Sequence, residues 1–109
     1  MNGAYAVLAA RIQRELPELR RVTERASRAL SQATANPQQQ DLFLDSVALS
    51  LHDFYCGLER VFRRIARTVD DAIPGGRDWH RELRQQMTVD LPRIRPRVLS
   101  DESRETLDE

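Results

Sequence analysis

The sequence contains no lysine: all 17 basic residues are arginine, and 17 acidic residues balance them to a net charge of zero. A chain without net charge exerts no global pull on nucleic acid or on an anionic membrane, so either partner would have to be held by a local patch. Arginine even at ordinary solvated positions points to genomic base composition; the other reading is that arginine is kept for bidentate contacts to phosphate. Cysteine occurs once, at Cys56, which excludes an internal disulfide and a cysteine-based zinc cluster. That usage fits a reducing compartment, and the expectation is a cytoplasmic protein. The N-terminal MNGAYAVLAARIQREL has no basic segment ahead of its apolar residues and no apolar run of signal-peptide length, and no stretch approaches a membrane span. Gly75 and Gly76 follow no strand, so there is no glycine-rich phosphate loop. The two histidines, His52 and His80, have no recognisable metal-ligand spacing. No cofactor, metal or catalytic residue is assigned on these grounds.

What the sequence does have is helical periodicity. From Leu44 to Val69, Leu44, Leu51, Leu58 and Ile65 fall on one row of seven-residue steps, Val47, Phe54 and Val61 on a second, and Ala48, Tyr55, Phe62 and Val69 on a third. Three adjacent rows make one broad apolar face. The opposite side carries Ser46, Asp53, Arg60 and Arg67 in one row and Ser50, Gly57, Arg64 and Asp71 in another, which predicts core on the first side and water on the second. This helix is expected to be central, to start at an Asp41 cap and to reach about Ile73, where Pro74, Gly75 and Gly76 stop it.

Before it, Ala4 to Ala35 reads as a first long helix, with Leu8, Ile12, Leu16, Leu19, Val22, Ala26, Ala29 and Ala33 on one stripe. Pro17 interrupts it. The stripe keeps its phase through the proline, which predicts one helix kinked near Leu16; a second start at Pro17 is the alternative. The short polar link from Asn36 to Gln40 makes the two long helices antiparallel neighbours. A third helix is predicted from Trp79, capped by Asp78, to about Asp90, with Trp79, Leu83, Gln86 or Met87, and Leu91 as its stripe. Pro92 and Pro96 break the chain after it, leaving Ile94, Val98 and Leu99 to pack back. Ser100, followed by Asp101 and Glu102, opens a fourth helix that runs barely two turns before Glu109.

The fold class is therefore all-α: an antiparallel helical bundle with two long helices, a shorter third and a truncated fourth, in one domain over residues 1–109. At 109 residues a single core is near the lower end of self-sufficiency, so a partner is expected to complete it.

Few side chains suggest chemistry. Asp45, His52 and Glu59 share a row at the border of core and solvent; seven-residue steps set them about 10 Å apart, too far to polarise one another within the helix. They read as rim residues or as a row facing a cleft shared with a partner. Arg60, Arg63, Arg64 and Arg67 form a basic patch, and Arg11, Arg14, Arg21, Arg25 and Arg28 a second on the first helix. Such stripes can hold phosphate backbones. Asp53, Glu59, Asp70 and Asp71 sit among the first, however, as on any solvated helix face. Trp79 and His80 read as a tryptophan packing the third helix with a histidine at its edge, or as a ligand site.

The segments LDSVALSLHDFYCGLERVFRRIA (44–66), WHRELRQQM (79–87) and RPRVLSDESRETLDE (95–109) resemble the HepT-like branch of the HEPN superfamily. The resemblance implies a helical, homodimeric ribonuclease toxin of a prokaryotic toxin–antitoxin system, paired with a minimal nucleotidyltransferase antitoxin. RNA enters as a partner by this resemblance alone. It further implies a catalytic arginine followed four to six residues later by a histidine, on a last helix beyond a segment like Ser100 to Glu109. Positions 45–47 before His52 and 73–75 before His80 hold no arginine. The expectation is a C-terminally incomplete domain without the catalytic pair, inactive as a nuclease and self-associating through the uncovered apolar face of the second helix. The alternatives are a non-catalytic module that dimerises or docks on the nucleotidyltransferase, and catalysis by His52 or His80 in another arrangement.

Overall fold

A computed structural model describes residues 3–109. It is all-α, with α1 over Ala4–Ala35, α2 over Gln40–Ile65, α3 over Trp79–Met87 and α4 over Asp101–Asp108. No strand forms among the described residues; Leu91 and Arg95 make one isolated antiparallel bridge that closes a tight turn. The chain divides into two compact units, Ala10–Leu58 and the combined segments Met1–Ala9 and Glu59–Glu109.

In the first unit, α1 runs unbroken through Pro17, so the second start does not occur. The stripe explains this: Leu19, Ala29 and Ala33 are buried, with Ile12, Val22 and Ala26 half-buried on both flanks of the proline, and only Leu16 is left exposed. At the end of α1 the Asn36 side-chain amide donates to the Gln32 carbonyl at 2.9 Å. A short 3-10 turn, Pro37–Gln39, then leads straight into α2. Gln40 is already helical, so Asp41 lies in the first turn and is not the cap.

The pairing of α1 with α2 corrects the expected faces. Ser50, placed on the water side by the seven-residue rows, is fully buried, and Gly57 in the same row is buried too. Leu44, Leu51 and Tyr55, placed in the core, are 40–44% exposed. The reason is polar and steric at once. Arg25 of α1 donates from Nε to Ser50 Oγ and from Nη2 to Asp53 Oδ2, each at 2.9 Å, while the Ser50 hydroxyl donates to the Ser46 carbonyl at 2.8 Å. A buried hydroxyl so satisfied costs little, and a small residue lets the arginine stem lie close. Arg25 and Ser50 stand at similar distances from the 36–39 link, which makes the two helices antiparallel.

In the second unit the expected apolar side of α2 is the buried one: Val61, Phe62 and Ile65 are buried, and Ala66, on the border row of Glu59, is buried with them. The helix then widens into a π-helical turn over Ala66–Asp70 and ends at Asp71, in left-handed conformation at φ 52°. It stops short of Ile73 because Asp70 is drawn sideways into a buried polar cluster. Arg95 donates from Nε and Nη2 to the two Asp70 carboxylate oxygens, both at 2.7 Å. Gln86 Nε2 adds a bond to Asp70 at 2.8 Å and another to the Ala72 carbonyl at 2.8 Å. The Arg95 and Asp70 side chains are only 7% and 2% exposed. Burial alone would raise the Asp70 pKa; the Arg95 and Gln86 hydrogen bonds and the Arg95 charge outweigh it and hold the carboxyl below its ordinary value.

The same cluster shapes the segment beyond α3. Leu83 and Met87 are fully buried. The helix ends at Met87 rather than Asp90, because the Met87 carbonyl accepts from the Val98 and Leu99 amides at 2.9 and 3.0 Å, while the Leu91 amide turns to the Arg95 carbonyl. Asp78 precedes α3 without a side-chain capping bond, another departure from the sequence reading. Leu99 packs back half-buried, whereas Ile94 and Val98 stay exposed. Ser100 does cap α4, its hydroxyl accepting from the Ser103 amide at 3.1 Å. Asp108 accepts from Arg84 of α3 at 2.6 Å and from Arg104 at 2.9 Å, tying α4 to α3. The Arg84 hydrogen bond, against a smaller opposing effect of desolvation, leads in keeping the Asp108 carboxyl below its usual value.

Candidate functional site

Four side chains of the second unit meet where α3 begins. Glu59 and Arg63 are one turn apart on α2, so both project from the same side of that helix. Trp79 and His80 are the first two residues of α3, released by the Pro74–Gly76 break. His80 Nδ1 lies 2.7 Å from Glu59 Oε1. The His80 ring stacks on Trp79 with centroids 3.5 Å apart and planes 29° from parallel. Arg63 places its guanidinium carbon 5.0 Å from the centre of the Trp79 ring, a cation–π contact. The His80 side chain is 49% exposed and that of Glu59 24%. The carboxylate thus holds the imidazole at Nδ1 and fixes its orientation, while half of the side chain stays exposed.

The row Asp45, His52 and Glu59 does not converge. Asp45 is exposed, His52 lies 3.6 Å from the Cys56 sulfur one turn on, and Glu59 is committed to His80. Within the patch of Arg60, Arg63, Arg64 and Arg67, roles diverge. Arg63 covers Trp79, Arg60 and Arg67 are exposed, and Arg64 is half-buried with its Nη1 nitrogen enclosed and without a hydrogen-bond partner. On α1, Arg21 pairs with Glu18 at 2.8 Å and Arg25 with Asp53, which leaves those two engaged. Among the described residues no group of three or more His, Cys, Asp and Glu side chains is placed to hold a metal ion. No helix there is long and apolar enough to cross a membrane.

Sequence spacing could not pair Glu59 with His80, because they come from different helices. The one available signal was a Trp-His pair opening a helix directly after a breaker, with Glu59 and Arg63 at helical spacing upstream. Chemically, the cluster offers an oriented imidazole, a guanidinium and an aromatic stack, which suits a planar ring carrying a negative group.

A family model described as HepT-like protein matches residues 46–109, from within α2 through α4. No curated protein matches the chain, and no solved structure does.

Proposed function

The chain belongs to the HepT-like family, and from that premise we propose that it is the toxin-family member of a prokaryotic toxin–antitoxin pair, directed at RNA and partnered by a nucleotidyltransferase antitoxin in the cytoplasm. The observation that carries the reading is the family match, which includes both the π-helical turn and the α3–α4 segment. The family's arginine–histidine pair at its four-to-six spacing occurs nowhere in the 109 residues. Cleavage through that pair is thus not available to these 109 residues, whose proposed part is the scaffold and its binding surfaces. Metal-free RNA cleavage needs one group to move the 2′-hydroxyl proton and a cation to hold the phosphate as charge develops, and the family supplies both from that pair.

The exposed face of α2 supports self-association as a homodimer. Leu44, Leu51 and Tyr55 stand 40–44% exposed along one side of the helix, and apolar area removed from water stabilises contact at about 25 cal/mol per Å². The test has two parts. The purified 109-residue chain is expected to leave a labelled RNA mixture intact and to sediment as a dimer at micromolar concentration. A clean monomer would overturn the dimer, and cleavage lost in His52→Ala or His80→Ala would overturn the non-catalytic role.

A further inference from the structure

We propose that Trp79 and His80, with Arg63 beside them and Glu59 behind, form a stacking site for single-stranded RNA. A base lies on the outer face of the His80 imidazole, and the adjoining phosphate engages the Arg63 guanidinium. The choice of RNA rests on the RNA-directed reading above; the site itself rests on geometry.

The packing of α3 does not require this pair. Leu83 and Met87, both fully buried, fasten the helix to its unit, while His80 stands half-exposed and Trp79 is only partly covered. The imidazole is nevertheless fixed on two sides, by the Trp79 ring at 3.5 Å and by Glu59 at 2.7 Å. A ring stacked on Trp79 and half exposed is already held for a base, since little ordering is left for the moment of binding. Among the described residues Arg63 has no carboxylate partner, unlike Arg21, Arg25, Arg84, Arg95, Arg97 and Arg104. Its guanidinium is available to a phosphate and is positioned by the same indole. Arg77 and Arg81 flank the pair in sequence.

The acidic groups decide the ligand. Glu59 faces His80 directly, and Asp78 and Glu82 are exposed on either side of the pair in sequence. A bare anion would meet that negative charge and gain nothing from the rings. A base with its phosphate gains both stacking and the Arg63 contact. Single strands are favoured over duplex because only unpaired bases expose a face to stack.

Trp79 is the sole tryptophan, so its fluorescence reports on this site alone. The experiment titrates the full chain with a single-stranded oligoribonucleotide, reading tryptophan emission together with anisotropy of a labelled copy of the same RNA. Saturable quenching is expected at the concentration that raises anisotropy. His80→Ala and His80→Gln, each checked for unchanged circular dichroism, should weaken binding about tenfold. Arg63→Ala should weaken it several-fold and lower the salt slope by about one ion, whereas Arg28→Ala, the same charge loss on α1, should leave it unchanged. Equal loss in Arg28→Ala would replace the site by diffuse charge and overturn it. So would quenching by a duplex as strong as by the single strand, or by inorganic phosphate alone. Anisotropy without quenching would refute this site while leaving an RNA-directed role standing; no binding by either readout would refute both.

Discussion

Replacing Arg95 by alanine should cost more stability than any other single arginine change in the chain. Arg95 reaches Asp70 with two parallel N–H···O bonds of 2.7 Å, and its remaining donors go to the carbonyls of Gln86, Val89 and Pro96. With Asp70 2% exposed, deleting the guanidinium strands a carboxylate that only Gln86 still serves. Breaking a buried pair from one side typically costs about 3–5 kcal/mol, out of a total of about 5–15 kcal/mol for a domain of this size. With a urea dependence of about 1–3 kcal/mol per molar, the midpoint should fall by about 2 M. By contrast Arg25→Ala breaks a pair with Asp53 in which both side chains are over 40% exposed; the ion pair itself is worth about 0–1 kcal/mol.

Asp70→Ala/Arg95→Ala should cost less than the sum of the singles, because removing both partners strands no charge. The pair also sets an acid limit. The Asp70 carboxyl is held below its ordinary value when folded, so the unfolded chain binds the proton more readily. The stabilisation is complete above the ordinary aspartate pKa of about 3.9 and is lost as pH falls through the folded value. Arg95→Ala should flatten that acid slope. The assay is urea unfolding followed by circular dichroism from pH 7 down to pH 3. A loss below 1 kcal/mol in Arg95→Ala, or an unchanged acid slope, would refute the buried-pair argument.

Other changes give smaller, separate readouts. Leu51→Glu places a charge in the middle of the exposed α2 face and should convert a dimer to a monomer in light scattering while leaving helicity intact. Pro17→Ala restores an amide inside an unbroken helix and should raise the thermal midpoint, by an amount reaching that of about 3 kcal/mol where the helix is otherwise unstrained. Ser100→Ala removes the hydroxyl that accepts from the Ser103 amide and should cost about 1 kcal/mol, seen first as faster amide exchange in α4. Arg84→Ala releases Asp108 from α3, and hydrogen exchange should show α4 opening ahead of the rest.

The existence and type of all four helices were legible because each rests on local signals that tertiary contacts did not override. The stripe on α1, the Asn36–Pro37 link, the Pro74–Gly76 break and the Ser100 cap each act within a few residues. Apart from the expected Asp41 and Asp78 caps, what escaped came from contacts between residues distant in sequence. Helix ends moved where a carbonyl or carboxylate was claimed from a distance: Met87 by the Val98 and Leu99 amides, Asp70 by Arg95. The site escaped for the same reason, since a Glu59–His80 bond spans 21 positions that no helical repeat connects.

The face of α2 misled more instructively. A hydrophobic repeat reports which side avoids water, but not which neighbour is present to exclude it. In Glu59–Glu109 the expected side is buried. In Ala10–Leu58 the helix turns Ser50 towards α1, where Arg25 satisfies its hydroxyl, and Leu44, Leu51 and Tyr55 remain exposed. An apolar row that keeps its period yet stands 40–44% exposed among these residues is a surface that a further segment or a second copy can cover. A homodimer across that row would satisfy both the repeat and the burial pattern. The sequence reading would then have been right that this row leaves water, and wrong about whose residues meet it and about Ser50 and Gly57, which it placed in water.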